Sequence, residues 1–194
     1  MSAYDQLMAF QRETEALGEV AGRLGWDQET MMPKAAADQR SEEISALEGV
    51  LHARRTDPRL SDWLAAASPK DDIEKAQLFH IKRSFDRASL IPADLAQALA
   101  RVTSVAQGQW ARARADNDVA AFLPVLAEVI GLRQQEAAAL AKGGDLYDAL
   151  IDDYEPDASS ASLGAMFDAM RPRLVALRTA ILAAKHQPVA LSGS

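Results

Sequence analysis

The chain contains no cysteine. Disulfides, thiolate zinc sites and thiol nucleophiles are therefore excluded, and the redox compartment is left open. Histidine is nearly as scarce, with three in 194 residues: His52, His80 and His186. No two are spaced as His-Glu-x-x-His, the pattern that sets two imidazoles and a carboxylate on one helix face around zinc. None follows a Glu by three residues, so the Glu-x-x-His signature of di-iron helical bundles is missing as well. His52 and His80 sit at the edges of apolar stripes and read as structural residues. There is no Walker loop, no Gly-x-Gly-x-x-Gly and no Gly-x-Ser-x-Gly elbow.

Positive charge is in deficit. The 21 Lys and Arg face 28 Asp and Glu, a formal net charge of −7, whereas nucleic acid or an anionic membrane calls for a basic stripe. No apolar run approaches the roughly 18 residues of a membrane span. The opening "MSAYDQLMAF" has neither the basic nor the apolar region of a secretory signal. A soluble, cytoplasmic protein is the expectation, with no nucleic-acid and no membrane partner.

β-branched runs are also few, and Ala and Leu dominate the 48% of hydrophobic residues. That composition favours helices, and the apolar spacing is helical almost throughout. Leu7, Phe10, Leu17, Ala21 and Leu24 share one stripe behind Ser2 as N-cap. Pro33 begins a second helix carrying Ile44, Leu47 and Leu51, and Asp57-Pro58 starts a short third. Ser68 and Pro69 open a fourth, with Asp71 and Asp72 in its first turn. Leu95, Leu99, Val102, Ala106, Trp110 and Ala113 define a fifth, and Phe122, Leu126, Val129 and Ile130 a sixth that stops at Gly143-Gly144. The most regular stripe is Leu163, Phe167, Met170, Leu174, Leu177, Ile181 and Ala184, in which Pro172 predicts a kink or a new start. The expectation is an all-α protein of about seven mostly antiparallel helices over residues 1–186. Residues 187–194 should form an extended tail or a cut connection.

Two acidic constellations remain. "GWDQET" (25–30) gathers Trp26, Asp27, Gln28 and Glu29 at a helix end, and "YDALIDDYEPD" (147–157) crowds Asp148, Asp152, Asp153, Glu155 and Asp157 into a helix end and loop. Crowded carboxylates can hold a hard cation, yet the second stretch lacks EF-hand spacing. For the first, residue chemistry alone favours a packed corner. Trp26 would bury its ring, Asp27 would cap the turn, and Met31 and Met32 would fill irregular space.

The strings "LGWDQETMMP" (24–33), "WARARADNDVAAFLPVLAEVI" (110–130) and "YDALIDDYEPDASSASLGAMFDAMRPRL" (147–174) resemble the N-terminal portion of the carboxypeptidase Taq family of metallocarboxypeptidases. The resemblance runs along essentially the whole chain. It implies a helical protein split by a deep groove that removes single residues from peptide C-termini. It also implies a divalent metal, usually zinc, held by His-Glu-x-x-His plus a downstream Glu, and a homodimer or other homo-oligomer. No catalytic, cofactor-binding or metal-ligand residue can be carried over, because no position here matches one. The chain stops where the first two-fifths of a family member would, so a C-terminal catalytic half is the missing partner and peptide the substrate of the intact enzyme.

On this reading the chain supplies one wall and the lid of the groove. Trp26, Asp27, Glu29, Asp152, Asp153, Tyr154 and Glu155 then become groove-facing residues, or residues that orient substrate or a metal ligand from behind. The alternative is a self-standing helical interaction module derived from that family and without activity. Alone, the chain should be inactive and expose apolar stripes, including the Leu163–Ala184 face, that promote self-association.

Overall fold

The computed structural model describes residues 1–186. Those residues form eight α-helices and one 3-10 turn, with no strand among them: α1 (Ala3–Thr30), the turn Lys34–Ala36, α2 (Ala37–Arg55), α3 (Pro58–Ala66), α4 (Asp72–Ala88), α5 (Ala93–Asp116), α6 (Val119–Ala141), α7 (Leu146–Ile151) and α8 (Ser160–Ala183). The all-α expectation holds. The tail expected at 187–194 lies outside the described residues. The chain divides into two compact units, Met1–Lys142 and Gly143–Ser194.

Helix starts follow local chemistry. Ser2 and Asp5 form a reciprocal capping box on α1. The Asp57 carboxylate accepts the Arg59 N–H at 2.9 Å behind Pro58 in the first turn of α3. Two starts differ from the sequence expectation. α4 is capped by Asp71, which accepts the Glu74 N–H at 2.8 Å, while the Glu74 carboxylate accepts the Lys70 N–H at 2.8 Å. That carboxylate exchange outcompetes the weaker Ser68 hydroxyl three residues upstream. Pro33 is extended (φ −60°, ψ 138°) and leads a 3-10 turn, so α2 begins at Ala37.

Helix ends are equally local. Asn117 at φ 53° takes the left-handed turn between α5 and α6, and Lys142 at φ 49° with Gly143 at φ 90° stops α6 as the Gly-Gly pair foretells. Pro172 does not start a new helix: α8 runs through it. The carbonyl that Pro172 leaves without its helical N–H belongs to Asp168, an exposed residue.

In the first unit α2 packs along α5, α5 along α6, and α1 against α2 and α3. Leu7, Leu51 and Leu60 are fully buried, and Val102, Ala106 and Val125 form a second cluster covered by Phe122, Val129 and Leu132. Each fully buried Leu contributes about 1.5–3 kcal/mol. The α5 stripe read from the sequence is the core of this unit: Leu95, Leu99, Val102, Ala106 and Ala113 are buried, and Trp110 alone stays half-exposed. His52 is tied structurally, its Nε2 lying 2.7 Å from the Ile91 carbonyl oxygen. In the second unit α7 contacts α8, and no residue of α8 is buried.

Candidate functional site

The last turns of α1 are closed by main chain first. The Asp27 carbonyl accepts the N–H groups of Met31 at 2.9 Å and Met32 at 2.8 Å, and the Thr30 hydroxyl donates to the Trp26 carbonyl at 2.7 Å. These bonds satisfy helix-end acceptors that would otherwise be orphaned.

Two side-chain locks then fix the corner in place. Arg40 of α2 donates from Nη2 to the Asp27 carboxylate at 2.6 Å, from Nη1 to the Leu24 carbonyl, and from Nε to Glu43 at 3.1 Å. Its side chain is only 11% exposed and Asp27 38%. The Asp27 hydrogen bond, ahead of the opposing effect of burial, raises the Arg40 guanidinium above its ordinary value, so it stays charged. On the other side, Gln28 donates from Nε2 to the Ser104 carbonyl at 3.1 Å and accepts the Ser104 hydroxyl at 2.7 Å. Ser104 is a buried residue of α5. One helix end is thereby bolted to two others.

The remaining two residues of the quartet point elsewhere. Trp26 is 64% exposed and Met31 is exposed too, so the expected burial of the indole and of that methionine is not what the chain does. With Asp27 and Gln28 consumed by α2 and α5, the helix period turns Trp26 to the opposite face. Asp27 does act as expected in closing the turn, though through its carbonyl and its ion pair. Glu29 is exposed and lines a cavity of about 480 Å³ together with Lys34, Gln107, Arg112 and Asp116. Two cations and two carboxylates thus border an open, roughly neutral cleft.

The acidic stretch of the second unit is mostly occupied with turns. Asp145 caps α7 by accepting from Tyr147 at 2.8 Å and Asp148 at 2.9 Å. Asp148 accepts the Ser160 N–H at 2.6 Å, and this bond holds its carboxyl below the ordinary carboxylate range. Asp152 accepts the Asp157 N–H at 3.2 Å, steadying a left-handed residue at φ 69°. The carbonyls of Leu150 and Ile151 accept from Asp153 at 3.3 Å and from Tyr154 and Glu155 at 2.9 Å each. Tyr154 is 89% exposed, the most open of the large side chains here. Asp152 and Asp148 have defined structural bonds, while the Tyr154 ring faces solvent.

The metal implied by the resemblance finds no seat in these residues. Among the described residues no three His, Asp or Glu side chains are grouped as a ligand set. His52 sits in α2 with Nε2 already engaged by Ile91, and His80 stacks edge-on against Phe79 in α4. The side chains present do not fit a metal centre. Sequence reasoning singled out Asp27 and missed Arg40 and Ser104, which fix the corner. A charged residue soon after a helix start was the only available sign of Arg40, and nothing marked Ser104.

The sequence model of the carboxypeptidase Taq (M32) metallopeptidases matches residues 6–192. Thermostable carboxypeptidase 1 of Thermus thermophilus is 36% identical over 202 residues, covering 96% of this chain and 40% of that protein. A solved structure of Pyrococcus furiosus carboxypeptidase superposes with a TM-score of 0.76 at 27% identity, over 94% of this chain and 37% of that one. An M32 carboxypeptidase from Deinococcus radiodurans gives 0.71 at 30% identity, over 93% and 37%. The chain spans about two-fifths of the length of the relatives it matches.

Proposed function

The chain belongs to the carboxypeptidase Taq (M32) metallopeptidase family, and from that membership we propose that it is the N-terminal helical part, groove wall and lid, of a metal-dependent carboxypeptidase. The match to the family along residues 6–192, at two-fifths of the relatives' length, carries this reading. Zinc or another divalent ion is held by polypeptide outside these 194 residues, as are the groups that act on the scissile bond. Peptide substrate, homo-oligomerisation and a cytoplasmic location belong to the same proposal.

Within it, residues 24–33 serve as a rigid edge of the groove. Asp27 and Gln28 position the corner, and Trp26 and Glu29 are the groups left to meet a peptide. An exposed indole offers a large apolar face with one N–H donor, and Glu29 brings charge to the cleft beside Lys34 and Arg112. In the second unit, Asp153, Tyr154 and Glu155 are the corresponding presented residues, with Asp152 shaping their turn.

The decisive experiment uses the 194-residue chain as it is. Incubated with zinc and an N-blocked dipeptide, it should release no free amino acid, and metal analysis after desalting should find well under one ion per chain. One tightly held ion per chain, or metal-dependent release, would defeat the proposal. Continuation of the reading frame into a His-Glu-x-x-His segment would support it.

A further inference from the structure

A second cleft in the first unit is lined mainly by three helices. α2 and α6 both pack along α5, and a cavity of about 270 Å³ opens over α5, bordered by charged residues of the other two. Glu48 and Arg55 lie two turns apart on one face of α2 and pair at 3.2 Å. Arg133 and Glu136 lie one turn apart on α6 and pair at 2.6 Å. Ala96, Leu99 and Ala100 of α5 supply the apolar floor. His52, beside the α2 pair, is committed to the Ile91 carbonyl through Nε2.

The charges are layered by depth. The side chain of Glu136 is 11% exposed and that of Glu48 25%, against 38% for Arg55 and 48% for Arg133. On both walls the carboxylate therefore lies deeper and the guanidinium nearer the mouth. The cleft beside Glu29 has no such layering, since all four of its charged residues are exposed.

Neither pair exhausts its hydrogen-bonding capacity. Glu136 accepts from Arg133 through Oε2 alone. No sealed side-chain oxygen among the described residues lacks a partner, so Oε1 is reached by solvent, and the cleft is the opening that Glu136 borders. A carboxylate oxygen this deep and without a donor calls for a cation. Each guanidinium carries five N–H donors, and the pairs engage only Nη1 of Arg55 and Nη1 of Arg133. The unspent donors toward the mouth call for a carboxylate.

We propose that this cleft binds a free α-amino acid with a branched aliphatic side chain. Its ammonium meets Glu136, its carboxylate takes the unspent guanidinium N–H groups at the mouth, and its side chain covers the α5 floor. An α-amino acid carries both charges on one carbon, which suits a small site bordered by two cations and two carboxylates among its described residues. A lone amine or a lone acid would leave half of that lining unmet. The volume points the same way, lying below the roughly 300–1,000 Å³ of sites for drug-sized ligands. The site goes beyond the carboxypeptidase reading and is tested without turnover. Under that reading, its ligand is of the class that the enzyme releases.

Isothermal titration of the 194-residue chain is the test. L-leucine should bind saturably at one site per chain. Isoamylamine and isocaproate, which lack its carboxylate and its ammonium respectively, should bind at least ~10-fold more weakly. Glu136→Gln removes the deep charge and Ala100→Leu fills the cleft; each should lower L-leucine affinity at least ~10-fold. Circular dichroism checks folding, and Arg133→Gln, changed at a half-exposed side chain, carries the test if either variant unfolds. Glu128→Gln, at an exposed position of α6 outside the cleft, should leave binding unchanged.

Absence of saturable L-leucine binding up to about 20 mM overturns the proposal. So does equal binding of the amine or the acid, which would make this a site for a single charge. Affinity that a folded cleft variant leaves unmoved also overturns it, because the ligand then sits elsewhere. Peptide release by a longer protein is a separate assay, whose failure removes the carboxypeptidase reading and leaves this site standing.

Discussion

Replacing Arg40 by Ala removes three hydrogen bonds that meet on one guanidinium: to the Asp27 carboxylate, the Leu24 carbonyl and Glu43. A hydrogen bond to a charged group contributes about 1.5–3 kcal/mol. Asp27 is 38% exposed, so water recovers part of its solvation when Arg40 is lost, and the lower half of that range applies. The Leu24 bond adds about 1 kcal/mol, and the Glu43 pair on the exposed side a few tenths. Together these give a loss of roughly 3 kcal/mol, equivalent to a fall in Tm of about 6–12 °C for a chain of this size.

Asp27→Ala removes one of the three bonds and should cost about 2 kcal/mol. Because the partners touch, the two substitutions should be non-additive, with a coupling of about 1–2 kcal/mol. Urea unfolding followed by far-ultraviolet circular dichroism measures all three, with Glu29→Gln as a neighbouring control that should change stability by less than ~0.5 kcal/mol. A loss below about 1 kcal/mol for Arg40→Ala, with no coupling to Asp27, would show that the corner is held by packing and that the ion pair is incidental.

Two further predictions concern the second unit and its junction. The Ser160 N–H lowers the Asp148 pKa, so the folded value lies below the ordinary 3.8. A depressed carboxyl contributes stability that is fully present above its unfolded pKa and drains away as the pH falls through the folded one. An acid titration of α7–α8 helicity should therefore show an unfolding limb below pH 3.8 that Asp148→Asn flattens; an unchanged limb refutes the role of that bond. Gly143 sits at φ 90° with open space around its Cβ position, so Gly143→Ala meets backbone strain and no clash. It should cost about 1 kcal/mol in a thermal melt, and a neutral or stabilising result would mean the linker relaxes to another conformation.

Helices were legible in the sequence because their signals are local. The capping box of Ser2, the Asp57-Pro58 start and the Gly143 stop each depend on residues within one turn. What failed also has local physics behind it. Asp71 displaced Ser68 because its carboxylate accepts the Glu74 N–H while the Glu74 carboxylate reaches back to the Lys70 N–H, a pair of bonds centred three residues beyond Ser68. Pro172 lies inside α8, where it removes one helical N–H without ending the helix. Coverage was not legible. The stripes of α5 and α8 have nearly the same spacing, yet five of the six α5 positions are buried and none in α8. Apolar period reports that a face wants a partner and carries no information about whether the partner lies in the same polypeptide.

The corner at Trp26–Glu29 illustrates the same division within four residues. Its string is distinctive enough to resemble a lineage, and the side chains that make it distinctive split into two mechanical classes. Asp27 reaches Arg40 thirteen residues on, and Gln28 reaches Ser104 seventy-six residues on. Those bonds fix the helix end in rotation as well as position, because they leave α1 on different sides toward α2 and α5. Fixing rotation determines where Trp26 and Glu29 point, and a presented side chain contributes to recognition only to the extent that its direction is set before a ligand arrives. On the function proposed above, the locks carry a functional signature of their own. If the chain is the groove wall proposed above, loss of Arg40 should raise KM for peptide through the disordering of Trp26 and Glu29 and leave kcat unchanged.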